Sequence, residues 1–338
     1  MNAHRQSEET FSETATASVS SASVSSVAVS SSAASASDVT VIITSFDQGR
    51  MPVAAARSAL RQTMCPARVI VVDDGSTDPA SVAALDELSA LDGVTLIRQT
   101  NAGVSAARNA GIAAARTPYI CVLDGDDLLM PGFLASAVAL LDADPHMVAA
   151  SSWLKCYGVL DCVVRPGGGR IEDFLPRNAC PADCVFRREL WERAGGYDET
   201  MREGFEDWEF MLRLLEAGGE DTAVGIVPEP LINYRTAPGS SNVRSMRRRT
   251  RLLGRIIERH RASYAAHMES ALLALDALAG ERLGMWEDAV QVHPELRQHS
   301  MRTRGFLEHP SYGDGGMASA VRINRARCSA PFYPADAS

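Results

Sequence analysis

The residues best suited to chemistry lie in YICVLDGDDLLMP (119–131), where an apolar run delivers the chain into three carboxylates, Asp124, Asp126 and Asp127. Like charges this close repel, and the edge of a sheet has no structural need of them. Asp124-Gly125-Asp126 is a DxD pattern. Two acids separated by a glycine on a turn can face one cleft, and the glycine leaves room for a closely approaching ligand. A hard divalent cation accepts a few such oxygens and completes its shell with phosphate oxygens. The plain alternative is a charged turn that caps the next helix. VVDDGSTD (71–78) also ends in acids, too far along the chain to share that turn. A carboxylate there can accept from a base N–H or from ribose hydroxyls, or close an ordinary Asx or Ser/Thr turn. NAGVSAARN (101–109) opens a helix with Arg108, able to approach a diphosphate or to pair with an acid. A second acidic pair, Glu206-Asp207, begins GFEDWEFMLRLLEAGG (204–219), an amphipathic helix whose apolar face is Phe205, Trp208, Leu212 and Leu215. Asp207 is therefore not explained as core; a first-turn carboxylate gains about 0.3–1 kcal/mol from the helix dipole, and general-base chemistry is the functional alternative.

Strand and helix signals alternate around these acids. VTVIIT (39–44), ARVIVVDD (67–74), VTLIRQ (94–99) and YICVLD (119–124) read as strands; PVAAARSALRQ (52–62), PASVAALDELSA (79–90) and the small-residue SAARNAGIAAAR (105–116) read as helices. This order predicts a mostly parallel sheet covered on both faces. Such sheets bind ligands beyond the carboxyl ends of their strands, where Thr44, Asp74, Asn101 and Asp124 fall. Beyond 130 a helix, an irregular region with RPGGGR as a flexible turn, the helix RRELWERAGG (187–196), the ED helix and a returning strand follow.

Thirty-three basic residues against 42 acidic ones give a net charge of −9, which argues against general nucleic-acid binding. Seven scattered cysteines without a CxxC suit a reducing compartment, and Cys180 with Cys184 lacks the second ligand pair that zinc requires. The Ser/Ala-rich stretch 7–37 has neither a basic n-region nor a continuous apolar core and reads as a disordered tail. No apolar run approaches the length of a membrane span. The expectation is a soluble, cytoplasmic protein, with peripheral contact at the inner face of a membrane open.

VTVIITSFDQG, VVDDGSTD, NAGVSAARNAG, YICVLDGDDLLMP, CVFRRELWERAGGYDE and GFEDWEFMLRL, in this order over roughly 39–235, closely resemble glycosyltransferase family 2, inverting enzymes of bacterial carbohydrate biosynthesis among them. The resemblance implies a GT-A nucleotide-diphospho-sugar transferase fold: α/β, a mostly parallel central sheet flanked by helices, a mixed acceptor-side region and a helical C-terminal extension. It implies a nucleotide-sugar donor, usually UDP-linked and sometimes GDP- or dTDP-linked, with Mg2+ or Mn2+. It places Thr44 and Phe46 at the base pocket, Asp74 on the nucleobase, Arg108 near the donor, Asp124 on the ribose side, and Asp126 on the metal, with Asp127 beside it as a weaker ligand. It assigns Asp207 as general base, with Glu206 holding the acceptor or supporting the loop. Phe46 departs from the tyrosine of some members, which keeps stacking and loses a hydroxyl. His309 could supply an extra ligand, as a C-terminal histidine does in some relatives.

The expected organisation is a tail over 1–37, a catalytic domain over 38–240 with a nucleotide-binding half (38–130) and an acceptor-side half (131–240), and a mainly helical extension over 241–338. Trp153, Trp191 and Tyr197 are candidates for an acceptor groove or for packing. SNVRSMRRRTRLLGR (241–255) could meet a diphosphate, an anionic acceptor or anionic lipid, or be a solvated basic face. The acceptor class stays open among glycan, lipid carrier, peptide and small molecule. Two other readings are a sugar-1-phosphate nucleotidyltransferase, for which TSFDQGRMP is a poor triphosphate loop, and a non-catalytic nucleotide- or sugar-binding module, which would usually have lost an acid.

Overall fold

The computed structural model describes residues 37–291, 305, 308–313, 315–317 and 320–321; the tail expected over 1–37 lies outside these but for its last residue, as does most of the chain beyond 291. The first half alternates strictly: β1 (Val39–Ser45), α1 (Met51–Leu60), β2 (Arg68–Asp73), α2 (Pro79–Ser89), β3 (Val94–Arg98), α3 (Val104–Ala114) and β4 (Tyr119–Asp124). Then come β5 (Leu128–Leu129), α4 (Phe133–Ala143), β6 (Met147–Gly158), β7 (Cys162–Val164), α5 (Ile171–Phe174), β8 (Cys184–Arg187), α6 (Arg188–Ala194), α7 (Glu206–Gly218) and β9 (Ala223–Thr236). Among the described residues four named helices follow: α8 (Ser241–Met246), α9 (Arg249–Arg259), α10 (Arg261–Ala266) and α11 (Met268–Gln291). No helix among the described residues is long and apolar enough to cross a membrane.

The strands form one sheet in the order β3-β2-β1-β4-β8-β6-β9-β5, with β7 paired to β6. Strands β3, β2, β1 and β4 run parallel, as the alternating sequence predicts. The expectation of a mostly parallel sheet does not extend further: β8 runs antiparallel to both β4 and β6, β5 runs antiparallel to β9, and only β6–β9 is again parallel. The sheet is mixed. The reason is the path of the chain after β4, which enters β8 from the end where β4 finishes. Cys184 at the start of β8 therefore sits opposite Val122, near the end of β4.

Two-residue periodicity sends alternate side chains to opposite faces of the sheet. Val41, Ile43 and Val71 pack on one side with Val53 and Ala56 of α1, Leu85 of α2 and Phe133 of α4. Ile42, Ile70 and Val72 pack on the other with Ala107 and Ile112 of α3, Leu190 of α6 and Phe210 of α7. The small residues of α3 let it settle close to the strands, and Gly111 marks the tightest approach. A Cβ added there would stand 2.5 Å from Ile42 Cγ2 and 3.0 Å from Val72 Cγ2. RPGGGR is a pinned turn rather than a flexible one: Gly168 N–H donates to Ala179 O, and Gly169 and Val224 exchange backbone hydrogen bonds of 2.8 and 2.9 Å.

Because neither strand side chain can retreat through the sheet, Gly111→Ala should cost about 1–3 kcal/mol, the usual scale of overpacking. Thermal or urea denaturation of the variant checks this, with an unchanged midpoint as the contrary result.

Candidate active site

The four strand ends Thr44, Asp74, Asn101 and Asp124 all line one cleft of about 920 Å3, together with Glu206. Its upper loops are laced together locally. Asp47, held at φ 50°, accepts from the N–H groups of Thr77 and Asp78 at 2.8 Å each, while its own N–H donates to Ser76 Oγ at 2.9 Å. Those two backbone donors hold the Asp47 carboxyl below its usual range. Phe46, 47% exposed, stands free at the rim. Asp74 is buried, and its carboxylate accepts from Gln99 Nε2 (2.7 Å) and from the N–H groups of Ala102 and Gly103 (2.8 Å each). It thereby fixes the loop that launches α3.

Arg108 leaves α3 with only 1% of its surface exposed. Its Nη2 donates to Asp124 Oδ1 at 2.8 Å and its Nη1 to Glu206 Oε1 at 3.1 Å, joining the end of β4 to the start of α7. Its guanidinium also lies 5.3 Å from the centre of the Tyr197 ring. Burial, followed by the charge of Asp207, pushes the Glu206 carboxyl up to about 7, and Arg108 opposes this rise. Burial also raises Asp207, again against Arg108, and Asn178 Nδ2 donates to Asp207 Oδ2 at 2.9 Å.

The DGDD turn closes when Asp127 N–H donates to Asp124 O at 3.0 Å. Gly125 is required there, since a Cβ would strike Gln48 Oε1 and stand 2.5 Å from Thr44 O. Arg235 at the end of β9 clamps the turn, pairing through Nη1 with Asp126 Oδ2 at 3.2 Å and through its backbone N–H with Asp127 Oδ1 at 2.6 Å. Among the described residues, the acids that converge closely enough to share a cation are Asp124, Asp127 and Asp183, with ligand oxygens within 4.8 Å of one another. Asp183, which no motif in the sequence marks, also accepts from Asp124 N–H at 2.8 Å. Burial, then the charge of Asp124, pushes its carboxyl up to about 7, while burial and Asp183 push Asp127 well above the carboxylate range. Three hard oxygen donors this close together suit a divalent cation, whose charge would favour their ionised forms.

Asp126, expected as the metal ligand, is engaged with Arg235 outside that group. His309 is exposed, with Nδ1 3.2 Å from Arg165 Nη1, and is not in the group either. Trp191 Nε1 donates to Asn109 Oδ1, and buried Tyr197 stacks on Phe210 with centroids 3.8 Å apart; neither residue lines the cleft. Trp153 lies under the Arg165 guanidinium at 4.9 Å.

The profile of the family described as Glycosyl transferase family 2 matches residues 40–176, which contain β1 to β4 and the acidic turn. A central segment of the chain is a glycosyltransferase family 2 domain. Two proteins of Rhizobium meliloti are similar to it: the succinoglycan biosynthesis protein ExoO, 39% identical over 213 residues, and the succinoglycan biosynthesis protein ExoU, 30% identical over 205 residues. Each match takes in 54% of this chain, and it spans 57% of ExoO and 58% of ExoU. A mannosyltransferase of Pyrobaculum calidifontis, solved with GDP-Man and Mn2+, aligns over 86% of this chain and 88% of its own at 20% identity and a TM-score of 0.49.

The acid cluster has a measurable signature. A carboxyl whose folded pKa lies above its unfolded value favours the folded state fully below the unfolded pKa, and this advantage is lost as pH rises through the folded pKa. Asp183 and Glu206, both raised to about 7, set that window between the ordinary carboxylate range and neutrality. With divalent ions chelated, the melting temperature should therefore fall from about pH 5 to about pH 7.5. Mn2+ should restore it at the upper pH in the natural protein and not in Asp183→Asn; an equal Mn2+ response in both would remove Asp183 from the cation set.

Proposed function

We propose that the protein is an inverting glycosyltransferase that moves a sugar from a nucleotide-diphosphate donor, UDP-linked in the first instance, to an acceptor hydroxyl. The observation that carries this reading is the single cleft in which buried Arg108 joins Asp124, at the end of a parallel strand, to Glu206, at the start of α7. Thr44 and Phe46 form the base side, and Asp74 holds the loop over which the nucleobase lies. Asp124 takes the ribose side. Asp124, Asp127 and Asp183 are the acids that would hold Mg2+ or Mn2+, with Asp126 beside them at Arg235. Bound there, the cation supplies positive charge next to the leaving diphosphate.

The chain's own residues account for the proton. Asp207 receives it from the acceptor hydroxyl as that oxygen attacks the anomeric carbon opposite the leaving group. Such a base must stand within about 3 Å of the hydroxyl, and its efficiency improves as its pKa approaches the working pH. The rise that burial imposes on Asp207 acts in this direction, and Asn178 orients the carboxylate. Glu206, held by Arg108, faces the donor cleft and supports the loop. The names of the two Rhizobium relatives make a growing glycan the first acceptor class to screen.

Asp207→Asn keeps the size and the helix start but removes the basic oxygen, so transfer should fall roughly 10²–10⁴-fold. Affinity for the nucleoside diphosphate should barely change. Near-normal transfer in this variant, with collapse in Glu206→Gln, would move the base to Glu206. A product that retains the donor's anomeric configuration would sink the single-displacement reading, whichever acid is the base.

A further inference from the structure

The basic stretch 241–255 is divided by the fold into two groups with different work. Three of its six arginines hold the segment that leads into α7. Arg248 and Arg251 both pair with Glu203. Arg255 donates to Thr200 Oγ1 at 3.0 Å, and the neighbouring Arg259 pairs with Asp198. Arg249 donates to the carbonyls of Gly313 and Pro176 and stands over the rings of Phe205 and Trp208. Arg244 and Arg247 differ. Both are exposed and line the same cleft as Asp126 and Glu206, as does Arg202 from the opposite segment. Among the described residues the Arg244 side chain reaches only the Gly239 carbonyl, and the side chains of Arg202 and Arg247 have neither a hydrogen-bond nor an ion-pair partner.

Their position is built rather than incidental. Val243 and Ser245 of α8 are buried, and Ser245 packs on Gly204 so tightly that a Cβ at Gly204, which has φ 116°, would strike Ser245 Cβ. The stem of Arg202 lies against the loop that launches α3, with Cγ 3.5 Å from where a Gly103 Cβ would stand. Two uncommitted guanidiniums and a third tied only to a carbonyl are thus presented to a cleft whose other cations, Arg108, Arg235 and Arg248, are already paired with acids. A diphosphate entering beside Asp124, Asp126 and Glu206 meets fixed negative charge and needs counter-charge. Guanidiniums suit phosphate because their planar N–H forks bind its oxygens in pairs.

We propose that Arg202, Arg244 and Arg247 form the anion-binding wall of the cleft and receive the diphosphate of the donor, holding it as its charge grows on departure. The assignment rests on the nucleotide-sugar reading above. It also makes α8, outside the matched family segment, part of the donor site.

The test is calorimetric titration of the full chain with UDP, GDP and the matching monophosphates in the presence of Mn2+, for the natural protein, Arg247→Gln and Arg202→Gln/Arg247→Gln. A hydrogen bond to a charged group is worth enough that the double variant should bind its diphosphate about tenfold more weakly or worse. The monophosphate should lose less, and added salt should weaken the natural protein more than the variant. Arg202→Lys/Arg247→Lys should recover part of the loss by charge alone. Because Arg247 is exposed and unpartnered, its single variant keeps the test valid should the double variant melt early. Equal diphosphate affinity in all variants would overturn the anion wall while leaving the nucleotide-sugar reading intact. So would unchanged diphosphate affinity with a raised KM for the acceptor, which would place the anion on the acceptor instead. Failure of the natural protein to bind either diphosphate would overturn both.

Discussion

The Arg108 guanidinium, buried between Asp124 and Glu206, is the contact on which the rest of the site depends. Without a cation at that point, β4 and α7 would bring two carboxylates together in a poorly solvated space, where like charges cannot both ionise cheaply. Breaking a buried pair by removing one partner typically costs about 3–5 kcal/mol, because a charge is left uncompensated. The packing around Arg108 is arranged to hold it. Asp74 fixes the loop before α3 through two backbone N–H groups, Gly111 lets α3 sit against β1 and β2, and Tyr197 offers a ring face beside the guanidinium.

The reversal of direction at β8 matters as much as the parallel strands beside it. A parallel strand in that place would start at the far end of the sheet, away from the acidic turn. Entering antiparallel, β8 sets Asp183 next to Asp124, where one carboxyl oxygen takes the Asp124 N–H and both groups share space with Asp127. Burial raises both Asp127 and Asp183, with the charge of Asp183 adding to the rise at Asp127 and that of Asp124 to the rise at Asp183. Arg235 completes the balance from β9, using its backbone on Asp127 and its side chain on Asp126. The turn is therefore held from three strands.

The C-terminal helices serve the same cleft at longer range. Arginines of α9 and the residues just before it bind the 198–203 segment through Asp198, Thr200 and Glu203, immediately ahead of the ED pair. Trp208 Nε1 donates to Phe174 O at 2.7 Å and anchors the first turn of α7 from below. Glu206 and Asp207 consequently stand on a rigid element, with Phe205 accepting a left-handed φ of 66° to start it.

The sequence by itself determined the features that repeat or lie close along the chain. Alternation of apolar runs with helical spacing specified β1 to α3 and β4, because a strand buried on both faces and a small-residue helix each have a local signature. The polar strand ends Thr44, Asp74, Asn101 and Asp124 pointed to one edge, and they do meet in one cleft. The amphipathic pattern of α7 likewise marked Asp207 as unexplained by core packing. Tertiary structure alone decided which charges pair. Asp183 reaches Asp124 across 59 residues, Glu206 reaches Arg108 across 98, and Arg235 reaches Asp126 across 109. Nothing in the residues flanking Asp183 distinguishes it from a surface acid, since its role follows from the direction in which β8 runs. The same holds for 241–255, where adjacent arginines look alike in sequence and diverge only because α8 and α9 present them to different neighbours. Local pattern encodes burial; the pairing of charges depends on the path of the chain between them.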